Sequence, residues 1–203
     1  QTLLPSPIQR RNIRFCCLKL RVPGPRWGAY PPPTSSCAPL VSTRTEQLLV
    51  VDIGGGSTEL VWIDLSSVPH RDRPRAIMRL HAGFHPPESP FPAAKVVDWI
   101  SVPLGVATLR DQFSDVADDA ARYALMSWFF EENLSEFAPY KDAQSREGFQ
   151  IVGTSGTVTT VAASHLGLRR YDRTKVDGLR MSSDQIETVI RRYLEMGPAG
   201  RRR

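Results

Sequence analysis

The chemically most informative stretch of the sequence is 48–63, where three consecutive glycines stand between two acidic residues. Asp52 ends one apolar run and Glu59 precedes the next. Glycine amides can approach a phosphoryl group closely and at positive φ, because no Cβ is in the way. Carboxylates repel phosphate, but they hold a hard cation or orient a water beside it. These residue types in this order indicate phosphoryl-transfer chemistry.

The two apolar runs that flank the glycines are typical of β-strands. Val50 and Val51 are β-branched, and 60–63 supplies a second apolar run after the glycines. We therefore predict a β-hairpin whose loop binds phosphate and whose two carboxylates, Asp52 and Glu59, serve the metal and the attacking water. The predicted phosphate-binding residues of this loop are Gly54, Gly55, Gly56, Ser57 and Thr58.

The octet DIGGGSTE at 52–59 resembles the second phosphate loop of the exopolyphosphatase and guanosine pentaphosphate phosphohydrolase (Ppx/GppA phosphatase) family, within the actin-like ATPase superfamily. Glu59 favours the polyphosphate-cleaving branch, since chaperone and actin relatives usually carry another residue there. The segments SVPLGVATLRDQF at 101–113 and IVGTSGTVTTVAA at 151–163 also resemble the family. The resemblance covers 47 to about 196.

The second of these segments contains a strand, a glycine-rich turn and the start of a helix, which together are typical of an anion site. Its predicted phosphate-binding residues are Gly153, Thr154, Ser155, Gly156 and Thr157. The family usually has GTGGT where this chain has GTSGT. If that position needs positive φ, Ser155 costs about 1 kcal/mol. The segment does not fit a GxSxG nucleophile elbow, because Thr157 stands where that pattern needs glycine.

The resemblance implies an α/β fold, a truncated ribonuclease-H-like lobe of the actin-like superfamily. It also implies Mg²⁺-dependent hydrolysis of terminal phosphoanhydride bonds in inorganic polyphosphate or guanosine pentaphosphate, and a part in the stringent response. The family's first phosphate loop and base glutamate precede the octet, and nothing in 1–46 matches them. The chain begins with Gln, so we expect a partial coding sequence that binds phosphate but hydrolyses little. Two alternatives stay open: a binding fragment without turnover, and an acyl or sugar kinase, for which the sequence shows no adenosine pocket.

Composition is compatible with this interpretation. The 203 residues are 41% hydrophobic, enough for a buried core, and the net charge of +5 suits a polyanionic ligand. No apolar run approaches the about 20 residues of a membrane-spanning helix, so we expect a cytoplasmic protein without a membrane partner. The sequence leaves open whether the full-length protein forms a homodimer, and nucleic acid is not the expected partner.

The segment 1–46 differs from the rest, with eight prolines, all three cysteines and no sustained periodicity. Apart from one short strand within 13–20, we predict that it is disordered and lies outside the core. The family-like domain is predicted over 47–196, followed by a basic tail over 197–203.

Within 47–196 the apolar patterns predict further elements. We expect strands at 76–80 and 99–102 that continue an antiparallel meander, and a strand over 149–152. Helices are expected over 118–137, 158–166 and from Ser182, with Ser182 and Gln185 as a capping box. The aromatic residues Trp128, Phe129 and Phe130 are assigned to the core.

Overall fold

The computed structural model describes residues 12–16, 35–81, 93–135, 137 and 148–201. Strands in the described residues are β1 (Asn12–Cys16), β2 (Gln47–Ile53), β3 (Thr58–Asp64), β4 (Lys95–Val102), β5 (Phe149–Thr154) and β6 (Arg180–Ser182). Their α-helices are α1 (Arg73–His81), α2 (Val106–Gln112), α3 (Asp119–Leu134), α4 (Ser155–His165), α5 (Arg173–Val176) and α6 (Ser183–Gly200). Short 3₁₀ helices span Ser35–Leu40 and His70–Asp72.

All six strands belong to one mixed sheet, in the order β4-β3-β2-β5-β1-β6. Strands β2, β3 and β4 are antiparallel neighbours, whereas β5 runs parallel to both β2 and β1. Parallel strands have their carboxyl ends at the same edge of a sheet. The loop after β2 and the helix after β5 therefore start at the same edge, and the site described below lies there.

The two faces of the sheet are covered by different helices. Leu48, Val50 and Val152 lie on one face and pack with buried residues of α1 and of the 3₁₀ helix Ser35–Leu40. Alternate residues such as Val51 lie on the other face, where α2 and α3 cover it, and Ile53 there packs against α4 and α6. This alternation is the period of two that a strand imposes on its side chains.

The N-terminal segment contributes to the fold, which corrects the prediction that 1–46 lies outside the core. Strand β1 lies between β5 and β6 and pairs with both, and Cys37, Ala38 and Val41 are buried in the core. The side chain of Gln150 fixes this segment, because it accepts from the Ser42 amide and the Thr45 hydroxyl and donates to the Leu40 carbonyl. Residues 1–11 and 17–34 lie outside the described residues.

The region between β3 and β4 is a helix, so the predicted strand at 76–80 is wrong. Ala76 and Ile77 are buried and Leu80 packs beside them, a spacing that places all three on one side of helix α1. The helix begins at Arg73, a buried residue whose guanidinium donates to the carbonyls of Val68 and Thr43. The predicted meander is therefore interrupted, and β4 returns to pair with β3 only after this helix.

The other predicted helices are present with small shifts at their ends. Helix α3 packs Phe129 and Phe130 against the core, but Trp128 is 62% exposed, which corrects its assignment to the core. The capping box of Ser182 and Gln185 is confirmed at the start of α6. That helix continues through Gly200 with a kink at Gly197, so the described part of the predicted basic tail is helical. No described helix is both long and apolar enough to cross a membrane.

Candidate phosphate site

The octet forms the predicted hairpin. Strand β2 ends at Ile53, β3 begins at Thr58, and the turn is closed by a 2.8 Å hydrogen bond from the Gly54 amide to the Ser57 carbonyl. In this register Asp52 stands directly opposite Glu59. Cross-strand neighbours project from the same face of a sheet, so the hairpin itself brings the two predicted carboxylates together.

Both carboxylates are largely shielded from solvent, with 5% exposure for Asp52 and 8% for Glu59. Glu59 Oε1 accepts two hydrogen bonds, from Ser57 Oγ at 2.6 Å and from Ser101 Oγ at 3.1 Å. Its other oxygen, Oε2, has no partner among the described residues. Since no buried side-chain oxygen of these residues lacks a partner, Oε2 retains contact with solvent. The Ser57 hydroxyl donates a hydrogen bond to Glu59, so in this structure it orients the carboxylate.

Ser101 was not predicted as a site residue. It lies on β4 directly opposite Glu59, 42 positions along the chain, and its hydroxyl fixes the same carboxylate oxygen that Ser57 holds. The pairing of β4 with β3 brings Ser101 there, and no local pattern around residue 101 signals that pairing.

The glycine loop is held by the start of helix α2. The amides of Val106 and Ala107 donate to the carbonyls of Gly54 and Gly55, at 3.1 Å and 2.8 Å. All described peptide bonds are trans, and in a trans peptide the C=O and the following N–H point in opposite directions. The amides of Gly55 and Gly56 therefore point away from α2, and neither donates a hydrogen bond within the described part of the chain.

Gly55 and Gly56 are both exposed. A Cβ built on Gly55 or Gly56 would meet nothing within 4 Å. Neither glycine has positive φ, so the loop does not use the left-handed conformation that glycine permits. The loop is shaped from outside by α2, and two amides that donate no hydrogen bond belong to exposed residues, which suits an anion.

Gly105 allows α2 to come this close. A Cβ at this position would lie 2.4 Å from the Gly55 carbonyl carbon, so any side chain there would force the helix and the loop apart. The contact that requires glycine here is with Gly54 and Gly55, about 50 positions earlier in the chain, so no local pattern around residue 105 signals it.

The second predicted loop differs from the expected glycine turn, because β5 passes directly into α4 at Ser155. Gly153 lies in the strand, where a Cβ would be 2.6 Å from Val158 Cγ1. The helix cap Thr154 makes no side-chain cap hydrogen bond, which leaves the first amides of α4 without that partner. Gly156 is exposed, and a Cβ there would meet nothing within 4 Å.

Two predicted phosphate ligands have other roles. Thr58 and Thr154 are fully buried in the sheet, and their hydroxyls donate to the carbonyls of Leu104 and Val51. The prediction that these hydroxyls reach a phosphate is wrong. Gly55, Gly56 and Gly156 are exposed at this edge, so backbone amides are the candidate phosphate ligands there.

Ser155 has φ of +80° and is the one non-glycine residue with positive φ among the described residues. The condition under which we predicted strain at this serine is therefore met, at a cost of about 1 kcal/mol. Its hydroxyl donates to the Ile53 carbonyl at 2.5 Å, and Thr154 stands beside Asp52 in the parallel ladder. The two predicted phosphate loops therefore lie close together.

The acidic pair offers oxygen ligands for a hard cation. Two neighbouring carboxylates, with remaining positions taken by waters and by phosphate oxygens, match the way Mg²⁺ is commonly bound in phosphoryl-transfer sites. Among the described residues, no group of three or more His, Cys, Asp or Glu side chains converges. The donor set at Asp52 and Glu59 fits a magnesium ion that is completed by its substrate.

Comparison with known proteins places this geometry in a family. The solved structure of an exopolyphosphatase-like protein matches with a TM-score of 0.55 and 30% identity over 76% of this chain and 41% of its own. The Aquifex aeolicus member of the Ppx/GppA family matches with a TM-score of 0.53 and 25% identity, over 80% and 42%. This chain thus spans about two-fifths of the length of these structures. A search of curated proteins gives no match.

These neighbours define the class of fold, which is the actin-like ATPase fold with a mixed sheet between helices. The chain also matches the Ppx/GppA phosphatase family over residues 38–199. It belongs to the Ppx/GppA phosphatase family. The match begins before the octet, in agreement with the burial of Cys37, Ala38 and Val41 in the core.

Proposed function

We propose that this chain carries the phosphate- and metal-binding part of a phosphatase that removes terminal phosphate from inorganic polyphosphate or guanosine pentaphosphate. One observation carries the proposal: the glycine loop and the start of α4 lie at the same sheet edge, beside the opposed carboxylates Asp52 and Glu59. Free amides for a polyanion and carboxylates for a cation are two of the requirements of phosphoanhydride hydrolysis.

The amides near Gly55, Gly56 and Gly156 would bind non-bridging phosphate oxygens. Because amides are neutral donors fixed by the backbone, they stabilise the added negative charge without reorganising. Mg²⁺, when bound, would neutralise phosphate charge and polarise the terminal phosphoryl group.

Glu59 is the residue suited to the attacking water. Its Oε1 is fixed by two serine hydroxyls, while Oε2 retains contact with solvent. The carboxylate group is planar and rigid, so fixing Oε1 also fixes the direction of Oε2. Oε2 can therefore accept a hydrogen bond from a water in a defined direction. In hydrolysis that water attacks the terminal phosphorus, and the bond to the bridging oxygen breaks.

The second candidate is binding without turnover. The loops bring together Asp52 and Glu59, and within the described residues no third acidic or histidine ligand joins them. If both carboxylates hold the cation, neither is free to accept the proton of water. This arrangement favours a polyphosphate-binding function, and phosphate release distinguishes it from the first candidate.

The test is calorimetric titration of the 203-residue chain with tripolyphosphate and with guanosine pentaphosphate, with and without Mg²⁺. We expect binding that requires Mg²⁺ and that weakens at least tenfold in Glu59→Gln, because a charged ligand contact is worth about 1.5–3 kcal/mol. Glu187→Gln is the matched control, since Glu187 is an exposed carboxylate paired with Arg191 on α6.

The outcomes separate the candidates. Absence of binding at millimolar ligand would contradict both. Binding with phosphate release well above background, abolished in Glu59→Gln, supports hydrolysis. Binding with release at background supports the binding function.

A further inference from the structure

Ser155 combines an unfavourable backbone conformation with a specific hydrogen bond. The described residues with positive φ are otherwise all glycines, and they are Gly148, Gly167, Gly178 and Gly197. A serine pays for this conformation through its Cβ, whereas glycine adopts it freely. Residues in such conformations persist where surrounding contacts fix them, and they are concentrated at functional sites.

The contact that accompanies the strain crosses from one loop to the other. Ser155 Oγ donates to the carbonyl of Ile53 at 2.5 Å, and Ile53 is the last residue of β2, immediately before Gly54. The backbone ladder between β2 and β5 ends at the pair Asp52 and Thr154. The serine hydroxyl thus extends the pairing by one residue after the main chain has turned into α4.

The resulting link is well placed to set the geometry of both loops. Ser155 is buried, with 6% exposure, so water competes little for its hydroxyl. Gly54 is bonded to Ser57 across the hairpin turn and through its carbonyl to α2. A displacement at Ile53 would therefore move the amides of Gly55 and Gly56 relative to the start of α4.

We propose that Ser155 is a positioning residue that couples the two phosphate-binding loops, holding them at one spacing before the ligand arrives. The ligand part of this inference rests on the proposed function. Pre-organisation of this kind raises affinity because less loop freedom is lost on binding.

Two substitutions separate positioning from stability. Ser155→Ala keeps the strained Cβ and loses the hydrogen bond, so both thermal stability and tripolyphosphate affinity should fall. Ser155→Gly loses the bond but removes the strain, so its melting temperature should stay near that of the wild type. Its affinity for tripolyphosphate with Mg²⁺ should nevertheless fall about threefold to tenfold. Thr188→Ala is the matched control, because Thr188 makes a hydroxyl-to-carbonyl bond of similar length within α6.

A second measurement does not depend on any ligand. Hydrogen exchange of the free protein, followed by mass spectrometry on peptides that cover 50–60, should be about threefold faster in Ser155→Gly than in the wild type and unchanged in Thr188→Ala. Unchanged exchange in Ser155→Gly would overturn the coupling.

The tripolyphosphate affinities decide whether the coupling of the loops also favours ligand binding. If the wild type binds and Ser155→Gly binds equally well or better, Ser155 is only a strained replacement for glycine, and the inference is wrong while the proposed function stands. If the wild type does not bind, the proposed function fails, and exchange alone decides whether the loops are coupled.

Discussion

The two loops at the site present backbone amides in different ways. The glycine loop has no positive φ and is shaped by α2, whose first amides bind its carbonyls. The loop before α4 is shaped by the left-handed backbone of Ser155, and the bond from Ser155 to Ile53 ties it to the end of β2. One loop depends on a neighbouring helix and the other on local backbone geometry.

This difference indicates where each loop is vulnerable. The first should fail when α2 is pushed away, even if its own residues are intact. The second should respond mainly to changes in its own first residues. The following predictions test this contrast, in decreasing order of expected effect.

Gly105→Ala should have the largest effect. The new methyl would lie 2.4 Å from the Gly55 carbonyl carbon, and since backbone is in the way, α2 and the loop must separate. We expect a loss of about 3 kcal/mol in the free energy of unfolding, measured by urea denaturation, with loss of tripolyphosphate binding.

Gly156→Ala is the counterpart in the second loop. Its methyl would meet nothing within 4 Å, and alanine favours a helix over glycine by up to about 1 kcal/mol. Stability should be unchanged or higher, while affinity falls because the methyl occupies the space in which the phosphate would lie. Equal destabilisation by the two substitutions would remove the contrast between the loops.

Gly153→Ala should cost about 2 kcal/mol in the free energy of unfolding, because the new Cβ would lie 2.6 Å from Val158 Cγ1. Here the obstacle is a side chain of the following helix α4, so Val158→Ala should relieve it. A double-mutant cycle should show that the combined loss is smaller than the sum of the two single losses. Strict additivity would show that this packing does not fix the start of α4.

Ser101→Ala should weaken Mg²⁺-dependent tripolyphosphate binding about twofold to fivefold, because Glu59 loses one of the two hydroxyls that fix Oε1. Stability should change by less than about 1 kcal/mol, since Ser101 is exposed. Calorimetric titration measures the effect. An unchanged affinity would mean that Ser57 alone orients the carboxylate.

Asp119→Asn should have the smallest effect and leaves both loops untouched. Hydrogen bonds from the Arg201 guanidinium lower the pKa of Asp119, its charge adds to this, and partial burial opposes it. The stabilisation is therefore present above the ordinary pKa of about 3.9 and is lost as the pH falls through the lowered value.

The substitution should cost at most about 1 kcal/mol at pH 7, because the pair is partly exposed. Thermal unfolding at several pH values should show the difference from the wild type shrinking below about pH 3.9. A difference that grows on acidification would contradict the ion pair.

The features that the sequence predicted correctly are local. The hairpin of the octet follows from two apolar runs and three glycines within sixteen residues, and its register alone places Asp52 opposite Glu59. The capping box at Ser182 is equally local. Such features need no knowledge of the rest of the chain.

The errors arose where distant contacts decide the structure. The apolar run at 76–80 suits a strand or a helix, and packing against the 3₁₀ helix Ser35–Leu40 selects the helix. Proline content suggested disorder near Cys37, but Gln150 and Arg73 bind the carbonyls of this segment from more than 25 residues away. The role of Ser101 likewise depends on the pairing of β4 with β3, and the role of Gly105 depends on the contact of α2 with the glycine loop.

The central claim is that both loops bind one phosphate ligand. Nuclear magnetic resonance of the ¹⁵N-labelled chain, titrated with tripolyphosphate in the presence of Mg²⁺, tests it directly. We predict that the amide signals of Gly55, Gly56 and Gly156 shift along one common saturation curve. Gly167, at the other end of α4, should not shift. Different saturation curves for the two loops, or shifts confined to one of them, would contradict a shared site.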